Sequence, residues 1–336
     1  MTKPWISDIQ LDEDMVRTFL AAHHPDLALH SIRKLDEGWD NELYLVGEDL
    51  LFRFTRRRFV IPFAVTEIKV LSLLDGLCTI PIPRIIHSGL LNGVFPYFSY
   101  RMLPGAIAAN LGLTPAERRP LARPLADLLN GLHAIPLSDT LRAVLPGDSI
   151  GRMDIAKRLG QIRAKLPVID QLAPGHESAA PRRERPAPGE DLTATTVELA
   201  AIREELSAVT EELAAAVSQQ DVEQIRCLVH GDLYSRNLLI SDRRQLSGLI
   251  DWTDVHLGHP AKDLSFAVSY FDPGSFAIVK EHYRSCDQRT FLLSILSALN
   301  HTCHLAEYAV DINDAPLISE CRVAFSNILA NYTAYK

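Results

Sequence analysis

The chain has no CxxC pair, and its five cysteines, Cys78, Cys227, Cys286, Cys303 and Cys321, are widely scattered. That excludes a disulfide framework and reads as reduced thiols in a reducing, cytoplasmic setting. No apolar run of about 18 residues occurs, so no membrane span is expected. The opening "MTKPWISDIQLDEDMV" lacks the apolar h-region of a secretory signal. No internal repeat is visible, and no GxGxxG loop announces a nucleotide site. An excess of basic residues is missing too. The formal charge of −8 argues against nucleic acid as a partner and is compatible with a cationic small molecule.

What is present is an ordinary globular balance, 47% apolar and 23% charged, in a chain of 336 residues. That length allows two domains, or one domain with two lobes. Residues 12–24 ("DEDMVRTFLAAHH") carry helical spacing behind acidic residues that suit a helix N-terminus. "ELYLV" and "LLFRF" flank "GED", which predicts a β-hairpin. A helical stretch, "PFAVTEIKVLSLLDGL", follows, then two extended segments, "PRIIHSG" and "FPYFSYRML". This order gives a compact mixed sheet with one crossing helix, closing near residue 105.

From about residue 107 the pattern turns helical, with Leu121, Leu125, Leu128, Leu129 and Leu132 on one face and Pro124 as a possible break. Residues 174–190 ("PGHESAAPRRERPAPGE") are rich in proline and poor in large apolar side chains, so an exposed loop or flexible linker is expected there. Next, Ile202, Leu206, Val209 and Leu213 share a 4-3-4 spacing, read as a helix packed on its own domain. Past residue 255 the chain reads as mostly helical.

Chemistry concentrates in "LVHGDLYSRNLLI", residues 228–240, where a polar insert separates two aliphatic runs. Short buried strands flanking a tight loop would make a rigid mount for functional groups. Asp232 and Asn237 project from that loop. Asp251 ends another aliphatic segment, "LSGLIDW". A hairpin through "SDRRQ" would gather all three at one end. Two carboxylates and a carboxamide oxygen are hard ligands and a base, the equipment for holding Mg²⁺ and orienting a hydroxyl. An ordinary polar hairpin turn is the bland alternative.

"HGDLYSRNLL" followed by "LIDW" resembles the catalytic and metal loops of the aminoglycoside phosphotransferase group, whose fold is protein-kinase-like. Protein kinases carry HRDxxxxN and DFG at corresponding places; here Gly231 replaces the Arg. "EGWDNELYLV", "LFRFTRR", "EIKVLSLL", "IPIPRII", "YRMLPG", "LLNGLHAIP" and "GHPAKDLSF" occur in the family's order. The resemblance implies an α+β, two-lobed fold. Residues 1–105 would form the nucleotide lobe, a small antiparallel sheet with one helix. Residues 106–336 would form a mainly helical lobe for catalysis and acceptor binding.

The roles implied follow residue by residue. Asp232 resembles the catalytic base, and Asn237 and Asp251 resemble the Mg²⁺ ligands. Arg53 and Glu67 match the basic residue and helix glutamate that hold the phosphates of ATP or GTP, with arginine where lysine is more familiar. Gly38 and Asn41, in "DEGWDN", would lie over the phosphates, Asn41 equally as a plain turn residue. Arg101, Met102 and Leu103 would offer backbone groups to the base. His230 is read as holding the loop through its ring. Asp263 is read as tying the metal loop to the helix it opens. Trp252, Asp254 and His256 would line the acceptor side. His301, Cys303 and His304 could be a metal cluster, although buried helical side chains are the preferred reading.

Glu307, Asp311, Asp314 and Glu320 could face a polycationic aminoglycoside or simply be a solvated face. Macrolide phosphotransferases share "HGDLY" and "LSGLIDWTDV", and relatives acting on choline, homoserine or sugars keep a metabolic kinase open. A degenerate kinase that binds without turnover is the reading from a different class.

Overall fold

The computed structural model describes residues 7–38, 40–173, 192–223 and 226–336, with nothing given for the side chains of 192–195. The proline-rich stretch 174–190 and Trp39 of "DEGWDN" lie outside the described residues. Five strands, β1 (Ile32–Glu37), β2 (Asn41–Val46), β3 (Leu50–Thr55), β4 (His87–Leu91) and β5 (Phe95–Arg101), pair antiparallel in the order β1-β2-β3-β5-β4. Every residue of β3 is buried, because helices cover the sheet on both faces. On one face α1 (Glu13–His23) inserts Phe19 edge-on against Tyr97, centroids 4.9 Å apart, and against Phe54 at 5.6 Å. On the other lies α2 (Ile61–Leu74), burying Ala64, Glu67, Val70, Leu71 and Leu74. The i, i+3, i+4 spacing of these residues is why that segment winds as a helix with one buried stripe.

Beyond β5 the chain is mainly helical. In chain order come β6 (Ala106–Ile107), α3 (Pro115–Arg118), α4 (Ala122–His133), α5 (Asp139–Val144), α6 (Ile155–Lys165), α7 (Val168–Gln171), α8 (Leu192–Ala216) and α9 (Gln219–Glu223). Then follow β7 (Cys227–Val229), β8 (Leu238–Ile240), β9 (Leu246–Leu249), β10 (His256–Gly258), α10 (Ala261–Tyr270), α11 (Pro273–His282), α12 (Gln288–Asp311) and α13 (Ala315–Tyr335). The α+β, kinase-like arrangement expected from the sequence is the one observed. Among the described residues no helix is long and apolar enough to cross a membrane.

Pro124 does not break α4. It falls in the first helical turn, where backbone N–H groups have no intrahelical partner, so a missing donor costs little. Leu206, Val209 and Leu213 are buried and Ile202 partly buried as α8 packs on α13, α7 and α6, which accounts for the 4-3-4 spacing. Past residue 255 the chain is mostly helical as expected, but it opens with a short strand, β10 (His256–Gly258), paired antiparallel with β7. A three-residue strand owes its conformation to a partner far away in sequence, which local pattern cannot register.

An apolar core runs unbroken from α2 and the inner face of the sheet into α4, α10 and α12. The two halves therefore share one interior. α12 is buried on nearly every side between Thr290 and Thr302, and α10 packs along it. This pair forms the floor beneath the loop that joins β7 to β8.

Candidate active site

The loop 230–237 is fixed at both ends by buried strands and from below by Asp263, in the first turn of α10. Fully buried, the Asp263 carboxylate accepts from the backbone N–H of His230 at 2.8 Å and of Gly231 at 2.9 Å. His133 Nε2 lies 3.1 Å away, and its Nδ1 is 2.7 Å from the Tyr283 hydroxyl. Burial alone would push the Asp263 carboxyl up. The hydrogen bond and charge of His133, helped by His230 and the Gly231 N–H, outweigh burial and hold it at about 2. Asp263 thus ties down the loop that carries Asp232. The expectation that it ties the metal loop is corrected, because its acceptors face residues 230 and 231 and not 251.

His230 joins the same loop to the segment before Asp251. Its Nδ1 accepts from the Asp232 N–H at 3.3 Å, so Nε2 carries the proton and donates to the Ile250 carbonyl at 3.0 Å. Burial lowers its pKa, in keeping with a neutral ring. The ring stands edge-on to Trp252, centroids 4.9 Å apart. The carboxamide nitrogen of Asn237 donates to the Asp232 carbonyl at 2.8 Å and to its carboxylate at 3.2 Å, leaving the amide oxygen to face elsewhere. Ile250 N–H donates to the Asn237 carbonyl at 2.9 Å, and Leu238 pairs with Leu249. Asp232, Asn237 and the approach to Asp251 are therefore brought to one end of the β8–β9 hairpin.

Gly231 allows the loop its shape. Its φ is +85°, and a Cβ there would stand 2.2 Å from the Asp254 carbonyl oxygen. Both strain and collision oppose any larger residue. Gly231→Ala is expected to lose about 2 kcal/mol or more of stability, read as a lower urea midpoint. An unchanged midpoint would mean the loop relaxes around the methyl group.

Asp251 also holds a left-handed conformation, φ +60°, unusual for a residue with a side chain. One of its oxygens accepts from Arg53 at 2.6 Å and from the Thr253 hydroxyl at 2.9 Å. Arg53, on β3, is also paired with Glu67 of α2. Burial works against the guanidinium charge, but Asp251 and Glu67 outweigh it and keep Arg53 protonated. Glu67 reaches further. It accepts from the Trp252 backbone N–H at 2.9 Å, and its other oxygen lies 3.0 Å from Thr253 Oγ1, whose one proton is shared between Glu67 and Asp251. Asn41 is buried against Arg53, and with its carboxamide oxygen toward the guanidinium it accepts from Nη2 at 2.6 Å and Nε at 3.1 Å. Gly38 N–H closes the β1–β2 turn on the Asn41 carbonyl at 2.9 Å.

Arg101 ends β5 with its side chain exposed and paired to Asp49. Ile86 donates to Ser99 and Met102 donates to Asp49, so by the alternation of an antiparallel ladder the backbone groups of Arg101 turn toward the β4 side. Since β4 starts at His87, opposite Ser99, no strand partner among the described residues covers them. The side chain of Leu103 lies against Gly248 of β9.

The acceptor-side expectation is corrected for Trp252 and His256, which are buried and line no open face. Asp254 is paired with Arg152, which also reaches Asp148 at 3.4 Å. No group of three or more His, Cys, Asp or Glu among the described residues could hold a metal ion, and His301, Cys303 and His304 are side chains of α12, the reading preferred from the sequence. His301 packs on Tyr234 at 5.4 Å beside a cavity of about 30 Å³ lined also by Ser235, Tyr270 and Glu320. Glu307 pairs with Lys165, Asp314 caps α13 and pairs with Arg236 at 2.8 Å, and Glu320 accepts from Ser235.

The sequence reading missed Thr253, Arg152 and Lys262. Lys262 directly precedes Asp263 and is only 8% exposed. A charged residue inside "HPAKDLSF" was the signal available for it.

The arrangement is that of a kinase-like phosphotransferase, and the comparisons agree. Residues 31–289 match the phosphotransferase enzyme family, and the chain belongs to it. Among solved structures, the GDP and kanamycin complex of APH(2")-IIia is similar with a TM-score of 0.65 at 21% identity, covering 94% of this chain and 98% of that one. Macrolide 2'-phosphotransferase MphH from Brachybacterium faecium, as apoenzyme, has a TM-score of 0.57 at 21% identity, with 94% and 98% coverage. A curated Bacillus subtilis (strain 168) relative, "Uncharacterized protein YcbJ", is 36% identical over 56 residues, 17% of this chain and 18% of that protein.

Proposed function

We propose that the protein transfers the γ-phosphoryl group of ATP or GTP to a hydroxyl of a small molecule in a Mg²⁺-dependent reaction. Residues 1–105 would carry the nucleotide and residues 106–336 the catalytic loop and acceptor. The observation that carries this reading is the contact of Asn237 with Asp232, joined through Ile250 to Asp251. Asp232 would accept the hydroxyl proton and orient the attacking oxygen. Asn237 and Asp251 would hold Mg²⁺. The donors fit that ion, because the Asn237 amide oxygen is turned away from Asp232 and Asp251 keeps an oxygen outside its bonds to Arg53 and Thr253. Two protein oxygens completed by phosphate and water are the usual provision for Mg²⁺, which supplies neutralising charge between phosphate oxygens. Arg53, backed by Glu67, would meet the phosphates. The uncovered backbone at Arg101, with Met102 and Leu103, would meet the base, and the Gly38–Asn41 turn would lie above.

An aminoglycoside is the first candidate acceptor, giving an antibiotic-resistance activity, and the kanamycin complex among the similar structures supports it. A macrolide is the second, and a specific observation favours it. Glu307, Asp314 and Glu320 are already engaged by Lys165, Arg236 and Ser235, which leaves fewer free carboxylates for a polycation. Purified protein with Mg²⁺ and γ-labelled ATP or GTP, challenged with kanamycin, erythromycin, choline and homoserine, should label one of them. Labelling of none, with no nucleotide consumed, would remove the proposal.

A further inference from the structure

The reacting carboxylate of Asp232 stands among charges whose partners are mostly settled. Arg53 is held by Glu67 and Asp251, and Arg152 by Asp148 and Asp254. Lys262 is the exception. It lies in the first turn of α10, beside the aspartate that fastens the catalytic loop, and it is 8% exposed. Among the described residues its ammonium has no hydrogen-bond acceptor and no carboxylate within 4.0 Å. Its strongest favourable charge interaction is with Asp232, followed by Asp263 and Asp254. Asp263 is occupied by His230, Gly231 and His133. Lys262 is also the largest charge acting on His301 of α12, whose Nε2 is buried without a partner among the described residues.

An ammonium withdrawn from water without a counter-ion is costly, and folds retain one where something arriving later compensates it. What arrives beside Asp232 in phosphoryl transfer is a group whose negative charge is spread over three oxygens. Arg53 is assigned to the nucleotide phosphates and Arg152 is committed to Asp148 and Asp254, so a free cation on the acceptor side is what the transfer lacks.

We propose that Lys262 is a further catalytic residue, whose ammonium receives oxygen atoms of the phosphoryl group as it passes to the acceptor held by Asp232. The inference rests on the phosphotransferase reading above. In the step, the bond from the γ-phosphorus to the bridging oxygen breaks and the nucleoside diphosphate leaves with the electron pair. The bond to the acceptor oxygen forms, its proton passes to Asp232, and Lys262 keeps its own protons throughout. Burial lowers the lysine pKa, and the carboxylates of Asp232, Asp263 and Asp254 oppose the shift.

The test compares wild type, Lys262→Met and Lys262→Arg, using ATP or GTP with Mg²⁺, first with water as the only acceptor and then with the compound labelled in the panel. Lys262→Met should lower kcat about a hundredfold in both reactions, the effect of deleting one donor aimed at developing charge. Nucleoside diphosphate binding, measured by calorimetry, should change by less than about twofold, and Tm should not fall, because the substitution removes a charge that lacked a partner. Lys262→Arg should recover a measurable part of the lost kcat. Turnover by Lys262→Met within about threefold of wild type would overturn the inference while leaving the phosphotransferase reading intact, as would a joint loss of Tm and nucleotide binding. Unchanged hydrolysis with a raised KM for the acceptor would put the oxyanion on the acceptor, and also overturns the assignment. A wild type that consumes no nucleotide removes the parent reading and this one with it.

Discussion

Asp232→Ala should lower turnover by about 10³-fold while nucleotide binding survives, measured as nucleotide-dependent phosphate transfer and by calorimetry. Nothing else on the loop can replace that carboxylate. His230 is neutral with both nitrogens committed, and Asn237 presents its amide nitrogen to Asp232. The nucleotide contacts proposed for Arg53 and the backbone of residues 101–103 are made by other elements, so binding and turnover should separate. A protein that only binds nucleotide would show no turnover to lose. Equal turnover in the variant would remove Asp232 from the reaction.

The same residue fixes a pH dependence. Burial, reinforced by the charge of Asp254, pushes the Asp232 carboxyl up to about 7 against the pull of Lys262. A proton acceptor must be ionised, so kcat/KM of the free enzyme should climb as pH rises through about 7. The sign for stability is opposite. A raised folded pKa contributes stability below the unfolded value of about 4, and that contribution is lost as pH rises through the folded value. Asp232→Asn should therefore melt above wild type at pH 8 while being inactive. A melting temperature that falls at pH 8 would contradict this electrostatic picture.

The second large effect is on folding. Asp263→Ala should cost about 3–5 kcal/mol, because it strands buried donors of His230, Gly231 and His133 together. Asp263→Asn should be nearly as damaging, since its amide group would set a donor against a backbone donor. The depressed pKa gives the window. Stability from Asp263 is fully present above about pH 4 and is lost as pH falls toward 2, amounting to about 2–3 kcal/mol over that interval. Urea unfolding of wild type and variant at pH 7 and pH 3 should show the gap shrinking at the lower pH. A gap of equal size at both would assign the loss to packing alone.

The fold and the heart of the site were legible because both are encoded locally. Alternating and aliphatic runs gave the strands, and "HGDLYSRN" with "IDW" gave oxygen donors at the ends of such runs. What escaped depends on neighbours distant in sequence. Arg152 stands 102 residues before the Asp254 it binds, and Glu67 185 residues before the Trp252 N–H. Likewise, the pairing of Glu307 with Lys165 turned a seemingly free acid into a structural one. Lys262 is the extreme case, since having no counter-ion is a property of space and leaves no trace in spacing.

Glu67 has a mechanical consequence. One carboxylate grips a strand through Arg53 and the main chain after Asp251 through Trp252, so the helix bearing it cannot tilt alone. Anything that pries this helix outward would therefore displace the chain around Asp251 without touching it.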